Sequence, residues 1–235
     1  MSYTRTGAGP FARRLFIPEE RIEKICRESL ASSGLLPEKP EAIRIDRLIF
    51  LKFGFEEEYL ELPAHIMGCA KFRKTGITKI LVNRILAEEK DAASQRRVRS
   101  TLAHEIGHGL FHADLFTEKL TLEESGELFG NGTCESVTKE GFVCRAECGL
   151  QTVRAFEWWE HQANLAMSSL LLPLHLITMA AKERLTLVAK DAGNIDFRIE
   201  KAEREIAEVF DVNRRMVRIR LGNWWRKEMQ EPTML

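Results

Sequence analysis

The chain has 235 residues, 44% of them hydrophobic, and thirty-five Lys and Arg balance thirty-five Asp and Glu. That composition supports a substantial core and excludes a disordered chain, while a formal net charge of +0 gives no global attraction to nucleic acid or anionic lipid. No apolar run reaches the length of a membrane span; Ser168 to Ala181 comes nearest and contains Pro173 and His175.

Residues 1–17 lack the apolar run of a secretory signal and read as a flexible lead-in. Pro18 and the Glu19-Glu20 pair then open a helical pattern, with Ile22, Ile25, Cys26 and Leu30 on one stripe, ended by Gly34 and Pro37. A second short helix is expected from Ile43 to Phe53, with Ile43, Leu48, Ile49 and Leu51 as its apolar positions. Ala64–Phe72 and Ile77–Val82, separated by the Lys74-Thr75-Gly76 turn, read as a β-hairpin or part of a small antiparallel sheet. A helix starting between Ala92 and Ser100 and ending near Ala113 carries the main motif. Residues 114–155, with five scattered glycines, are too long for a plain connection and read as an insert or lid with its own short elements. Helices follow from Ala155 to Leu172, stopped by Pro173, and from Leu174 to about Lys190. Gly193-Asn194 marks the best internal boundary. The expected organisation is a lead-in (1–17), one main domain (18–192) and a C-terminal segment (193–235).

The motif is His104-Glu105-Ile106-Gly107-His108. Residues four apart share a helix face, so both imidazoles can reach one metal ion. Glu105 falls on the neighbouring side, where it can take a proton from the attacking water without binding the metal. A catalytic zinc site needs a third protein ligand. Glu160 is the first candidate, because Asn164 follows it by one turn and can orient a bound imidazole from behind; Glu157 is the alternative. His112 extends the ladder, but eight residues of helix rise roughly 12 Å, so it is expected to support the following loop or hydrogen-bond nearby. His161 is rotated about 100° from Glu160, away from the metal face. The Trp158-Trp159 pair reads as packing.

His104-Glu105-Ile106-Gly107-His108 preceded by Ala103, Glu160-His161-Gln162-Ala163-Asn164, and Leu170-Leu171-Leu172-Pro173 together resemble the ImmA/IrrE family of zinc metallo-endopeptidases. Ile80-Leu81-Val82-Asn83 resembles the strand and asparagine preceding that family's active-site helix, and the likeness covers roughly residues 43–175. The resemblance implies a predominantly helical α+β fold with a zincin-like metallopeptidase core. It also implies His104, His108 and Glu160 as zinc ligands, with Glu105 as catalytic base. The expected reaction is amide hydrolysis, and the expected substrate is a helix–turn–helix transcriptional repressor whose cleavage releases a stress or mobile-element response. His112, His161 and Arg145 are candidates for sharing the oxyanion load. Histidine and carboxylate ligands suit manganese as well as zinc. An extended substrate is expected to align on strand Ile77–Asn83 by strand addition.

Two features fall outside that motif. Cys134, Cys144 and Cys148 cluster in the insert, where a second, structural zinc is weighed against buried or redox-responsive thiols. Five cysteines, an odd number, suit a reducing cytoplasm, and Cys26 and Cys69 read as core. At the C-terminus, Ile199, Ala202, Ile206 and Val209 form a helical stripe, and Asn213 can cap a further helix carrying Val217 and Leu221. Arg214, Arg215, Arg218, Arg220, Arg226 and Lys227 make that helix basic, a helix–turn–helix-like pattern that suggests contact with DNA phosphates or an acidic partner. A solvated helix packed on the main domain by Trp224 and Trp225 is the competing expectation. A non-catalytic, metal-stabilised regulator that binds a repressor or DNA is the rival function.

Overall fold

A computed structural model describes residues 2–5, 11, 13–124, 141–145, 157–188 and 195–230. The described chain is α+β and mostly helical, with a two-stranded antiparallel sheet and a four-stranded mixed sheet. Strands β1 (Ser2–Arg5) and β2 (Arg13–Phe16) pair antiparallel. Residues 2–5 and 13–17 are thus not a loose lead-in. Period-two alternation turns Leu15 and Ile17 inward, and Phe11 enters an aromatic nest with Phe116, Phe142, Trp158 and Trp159.

Helix α1 (Glu19–Ser32) begins after Pro18, whose fixed φ suits a helix start, with Glu19 and Glu20 in the electropositive first turn. Its buried residues Ile22, Cys26, Ser29 and Leu30 recur at helical spacing. In α2 (Ile45–Phe53) the buried face is Ile45, Leu48 and Ile49. Leu51 is exposed, contrary to expectation, because it lies about 200° of helical rotation beyond Ile49.

The expected hairpin is present as β4 (Ile66–Arg73) and β5 (Gly76–Asn83). Two further strands complete the order β3-β5-β4-β6. β3 (Glu58–Leu60) pairs parallel with Leu81–Asn83, and β6 (Gly141–Arg145) pairs antiparallel with β4. β5 is therefore an inner strand along Leu81–Asn83, not the edge expected to receive a substrate. The insert contributes β6 and helix α5 (Ala113–Glu124). Its residues 125–140 and 146–156, including Cys134 and Cys148, lie outside the described residues. Gly141 is required where β6 meets β4, since a Cβ there would stand 1.8 Å from the Ala70 carbonyl oxygen.

Asn83 ends β5 and caps α3 (Arg84–Glu88), accepting from the Ile85 amide at 3.1 Å and donating to the Ile66 carbonyl at 2.9 Å. Asp91 then caps α4 (Ala92–Phe111) through the Ala93 and Ser94 amides. From Thr101 to Gly109 every residue of α4 is buried, because the helix runs between the four-stranded sheet and α6 (Trp158–Leu171). Trp158 and Trp159 are core residues, as expected.

Helices α7 (Leu174–Val188), α8 (Ile195–Val209) and α9 (Arg214–Gln230) follow. Asn213 accepts from the Arg215 amide at 2.9 Å, the cap read from sequence. One continuous buried cluster runs from Phe11 to Trp225, so α8 and α9 share the core of the preceding helices; the expected boundary at Gly193-Asn194 lies outside the described residues. Three arginines of α9 are engaged: Arg214 with Glu200, Arg218 with Glu203 at 3.1 Å, and Arg220 with Glu23. No single helix among the described residues is long and apolar enough to cross a membrane.

Candidate metal centre

One turn of α4 separates His104 from His108, and their Nε2 atoms lie 3.1 Å apart. Glu160 comes across from the first turn of α6, with Oε2 3.2 Å from His104 Nε2 and Oε1 3.4 Å from His108 Nε2. Gly107 makes this approach feasible. A Cβ at that position would sit 2.9 Å from the Ala166 Cβ and 3.1 Å from the Ala163 carbonyl oxygen, so α4 and α6 touch through the smallest residues available.

The three side chains can hold a metal ion. Their separations match the test that coordination imposes: ligands at ~2.0–2.1 Å from a tetrahedral centre stand about 3.3–3.4 Å from one another. Chemistry agrees with geometry. Two imidazole nitrogens and a carboxylate face each other with 2% (His104), 0% (His108) and 6% (Glu160) of their surface exposed, and no other donor reaches Glu160. Facing lone pairs in a dry pocket call for a cation. The set is compatible with zinc.

Both imidazoles are held from behind. His104 Nδ1 lies 3.2 Å from Asn164 Oδ1, the orienting contact expected from the Glu160–Asn164 spacing. His108 Nδ1 lies 3.0 Å from His112 Nδ1, and the Phe142 ring of β6 stacks on His108 with centroids 3.9 Å apart. His112 in turn meets Gln162 Oε1 at 3.0 Å.

Glu105 lies fully buried beside this set, outside the three ligands, and neither oxygen makes a well-formed hydrogen bond. Gly68 of β4 leaves it room: a Cβ there would stand 3.4 Å from Glu105 Oε1. Burial raises the Glu105 carboxyl to about 8, against the opposing charge of His104. Burial alone would lower His104, but hydrogen bonding to Glu160 and the charges of Glu160 and Glu105 outweigh it and leave it raised. Burial lowers His108 to about 4 and His112 to about 3. Burial would raise Glu160, yet His108 and His104 together hold it well below the usual carboxylate range.

The remaining candidates separate clearly. Glu157 stands just before α6, half-buried, and is not among the converging ligands. His161 is exposed, in keeping with its rotation of about 100° from Glu160. The Arg145 side chain lies outside the described residues. Cys144 lies beside this set, its sulfur, His104 and Glu105 being within 4.8 Å of one another; Cys134 and Cys148, the other members of the expected thiolate cluster, lie outside the described residues. Gln162, Phe142 and Gly68 were not singled out from sequence. Gln162 had one local signal, its place inside the Glu160–Asn164 turn; Phe142 and Gly68 reach the site only through strand pairing.

The fold and the site define an α+β chain with a buried histidine–carboxylate cluster that could hold a metal ion. No family model matches this chain, and no curated protein matches it by sequence.

Proposed function

We propose that the protein is a zinc-dependent endopeptidase with a zincin-like core, of the ImmA/IrrE type that its motifs resemble. One observation carries this reading: a buried carboxylate, Glu105, stands free of the metal-ligand set yet beside it. A site that served structure alone has no use for a second buried acid, whose desolvation is costly.

His104, His108 and Glu160 would hold a zinc ion, which when bound would supply Lewis acidity toward a scissile carbonyl and the attacking water. Glu105 accepts the proton of that water as its oxygen bonds to the carbonyl carbon. It returns the proton to the amine as the C–N bond breaks. Asn164 keeps His104 turned toward the ligand set throughout, and the dry walls around Glu105 strengthen every charge interaction at the reacting atoms. The substrate class comes from the resemblance: a helix–turn–helix transcriptional repressor, cut in the cytoplasm to release a stress or mobile-element response. Manganese fits the same ligands less well than zinc. A second role in DNA binding has weaker support, because Arg214, Arg218 and Arg220 already serve carboxylates of this chain.

The deep burial of the whole cluster favours one other reading, a metal-stabilised regulator that binds a repressor or DNA without cutting it. The deciding experiment incubates the repressor encoded nearby with wild type and with Glu105→Gln at matched zinc content. Cleavage by wild type alone supports the peptidase. Equal cleavage by both, or none by wild type across several candidate repressors, supports the regulator.

A further inference from the structure

His104, His108 and His112 form a row along α4, and only the first two face Glu160. The order of protons in the rest of the row is decided at its far end. Leu15 offers a backbone carbonyl, which only accepts, so the Gln162 atom 2.8 Å from it is the amide nitrogen. The oxygen of the same amide then faces His112 Nε2 at 3.0 Å, and His112 must carry its proton there. A neutral imidazole protonated on Nε2 has a bare Nδ1, and that atom lies 3.0 Å from His108 Nδ1. His108 therefore donates from Nδ1. Its Nε2 lone pair is left pointing at His104 and Glu160.

We infer that the Leu15 carbonyl, Gln162 and His112 form a hydrogen-bond relay that locks His108 in the tautomer able to bind a metal, which makes His112 and Gln162 positioning residues for that ligand. The reverse order fails on the same atoms. A proton on His108 Nε2 would require one on His112 Nδ1, and His112 Nε2 would then face the Gln162 oxygen acceptor to acceptor. No water can relieve that conflict, since His112 and His108 are each 0% exposed and Gln162 is 5% exposed. Helix α6 thus supplies one ligand, Glu160, and the orienting groups for both imidazoles, Asn164 directly and Gln162 through His112. The relay also ties the site to β2, 147 residues away in sequence from Gln162.

The purpose of the relay rests on the metal reading above, but its proton order does not. In metal-free wild type, long-range proton–nitrogen correlation spectra of the imidazoles should show His108 protonated on Nδ1 and His112 on Nε2. In competition titrations against a chromophoric chelator, His112→Leu should weaken zinc binding by ~10–100-fold. His112→Asn, whose side-chain oxygen can accept in place of Nδ1, should restore affinity to within about threefold of wild type. A His108 proton found on Nε2, equal zinc affinity in His112→Leu and wild type, or His112→Asn as weak as His112→Leu would overturn the relay. If His112→Leu does not fold, the wild-type spectrum still decides. A wild type that binds no zinc would sink the proposed function, while the spectrum would judge the relay separately.

Discussion

Gly107→Ala tests whether the contact between α4 and α6 sets the metal site. The added methyl would lie 2.9 Å from the Ala166 Cβ and 3.2 Å from the Ala163 Cα, against ~3.5–4.0 Å for a relaxed carbon pair. The close atoms all lie on α6, two of backbone and one a methyl with no rotamer to change, so α6 must retreat by roughly 0.6–1 Å. Glu160 rides on the same helix and now stands 3.2 and 3.4 Å from the two imidazoles. A retreat of that size carries it past the ~3.3–3.4 Å ligand spacing a tetrahedral ion requires. Overpacking costs ~1–3 kcal/mol, and the helix preference of alanine over glycine returns about 1 kcal/mol. The metal-free protein should therefore lose at most about 2 kcal/mol, while zinc affinity falls by about tenfold or more. Chelator competition and urea unfolding, each with and without zinc, separate the two effects. Gly222→Ala in α9 meets nothing within 4 Å and should leave zinc binding unchanged. Wild-type zinc affinity in Gly107→Ala would refute the claim that this contact sets the ligand geometry.

Glu160→Gln should abolish stoichiometric zinc binding and bring His104 down from its raised value, since Glu160 is what lifts it; metal analysis and imidazole titration by NMR check both. Glu105→Gln should stabilise the metal-free protein. A carboxyl raised to about 8 contributes fully to stability below about pH 4.5 and loses that contribution as pH rises through about 8. The gain should reach at most about 3 kcal/mol near neutrality and vanish near pH 4.5, measured by urea unfolding across that range; equal stability throughout would count against the buried-acid assignment. His108 and His112, lowered to about 4 and about 3, act in the opposite sense. Metal-free protein should lose stability as pH falls from about 6.5 toward 3, because the unfolded chain binds those protons first. Gly141→Ala should detach β6 from β4, read as faster hydrogen exchange at Gly68 and Ala70, because no rotamer removes a methyl placed 1.8 Å from a carbonyl oxygen.

The metal site was largely legible because its parts are helical, and helical spacing fixes a face without knowledge of the fold. The shared face of His104 and His108, the offset of Glu105 and the Glu160–Asn164 spacing follow from rotation, as does the exclusion of His161, whereas the choice of Glu160 over Glu157 leaned also on the family resemblance. Strands gave less. The β4–β5 hairpin announces itself through its turn, whereas β3 has three residues and β6 finds its partner some 70 positions back along the chain. For that reason the Leu81–Asn83 end of β5 was mistaken for an edge, and the position of Cys144 beside His104 could not be foreseen. The N-terminal residues were misjudged because glycines and arginines hide an alternation only three apolar residues long. His112 was placed among hydrogen-bonding groups, but its partner Gln162 lies on another helix, and no local pattern names it.

Strand β6 has a consequence for traffic through the site. It fills the flank of β4 that faces Glu105, with Phe142 roofing one imidazole and Cys144 beside the other. A polypeptide threading along β4 must first evict five residues of the protein itself. Extracting Phe142 alone forfeits about 2–3 kcal/mol, which leaves fewer than roughly one molecule in thirty admitting a visitor at any instant. Under the proposed endopeptidase function, turnover would be limited by how often that strand is displaced, and whatever loosens it would set the rate of cleavage.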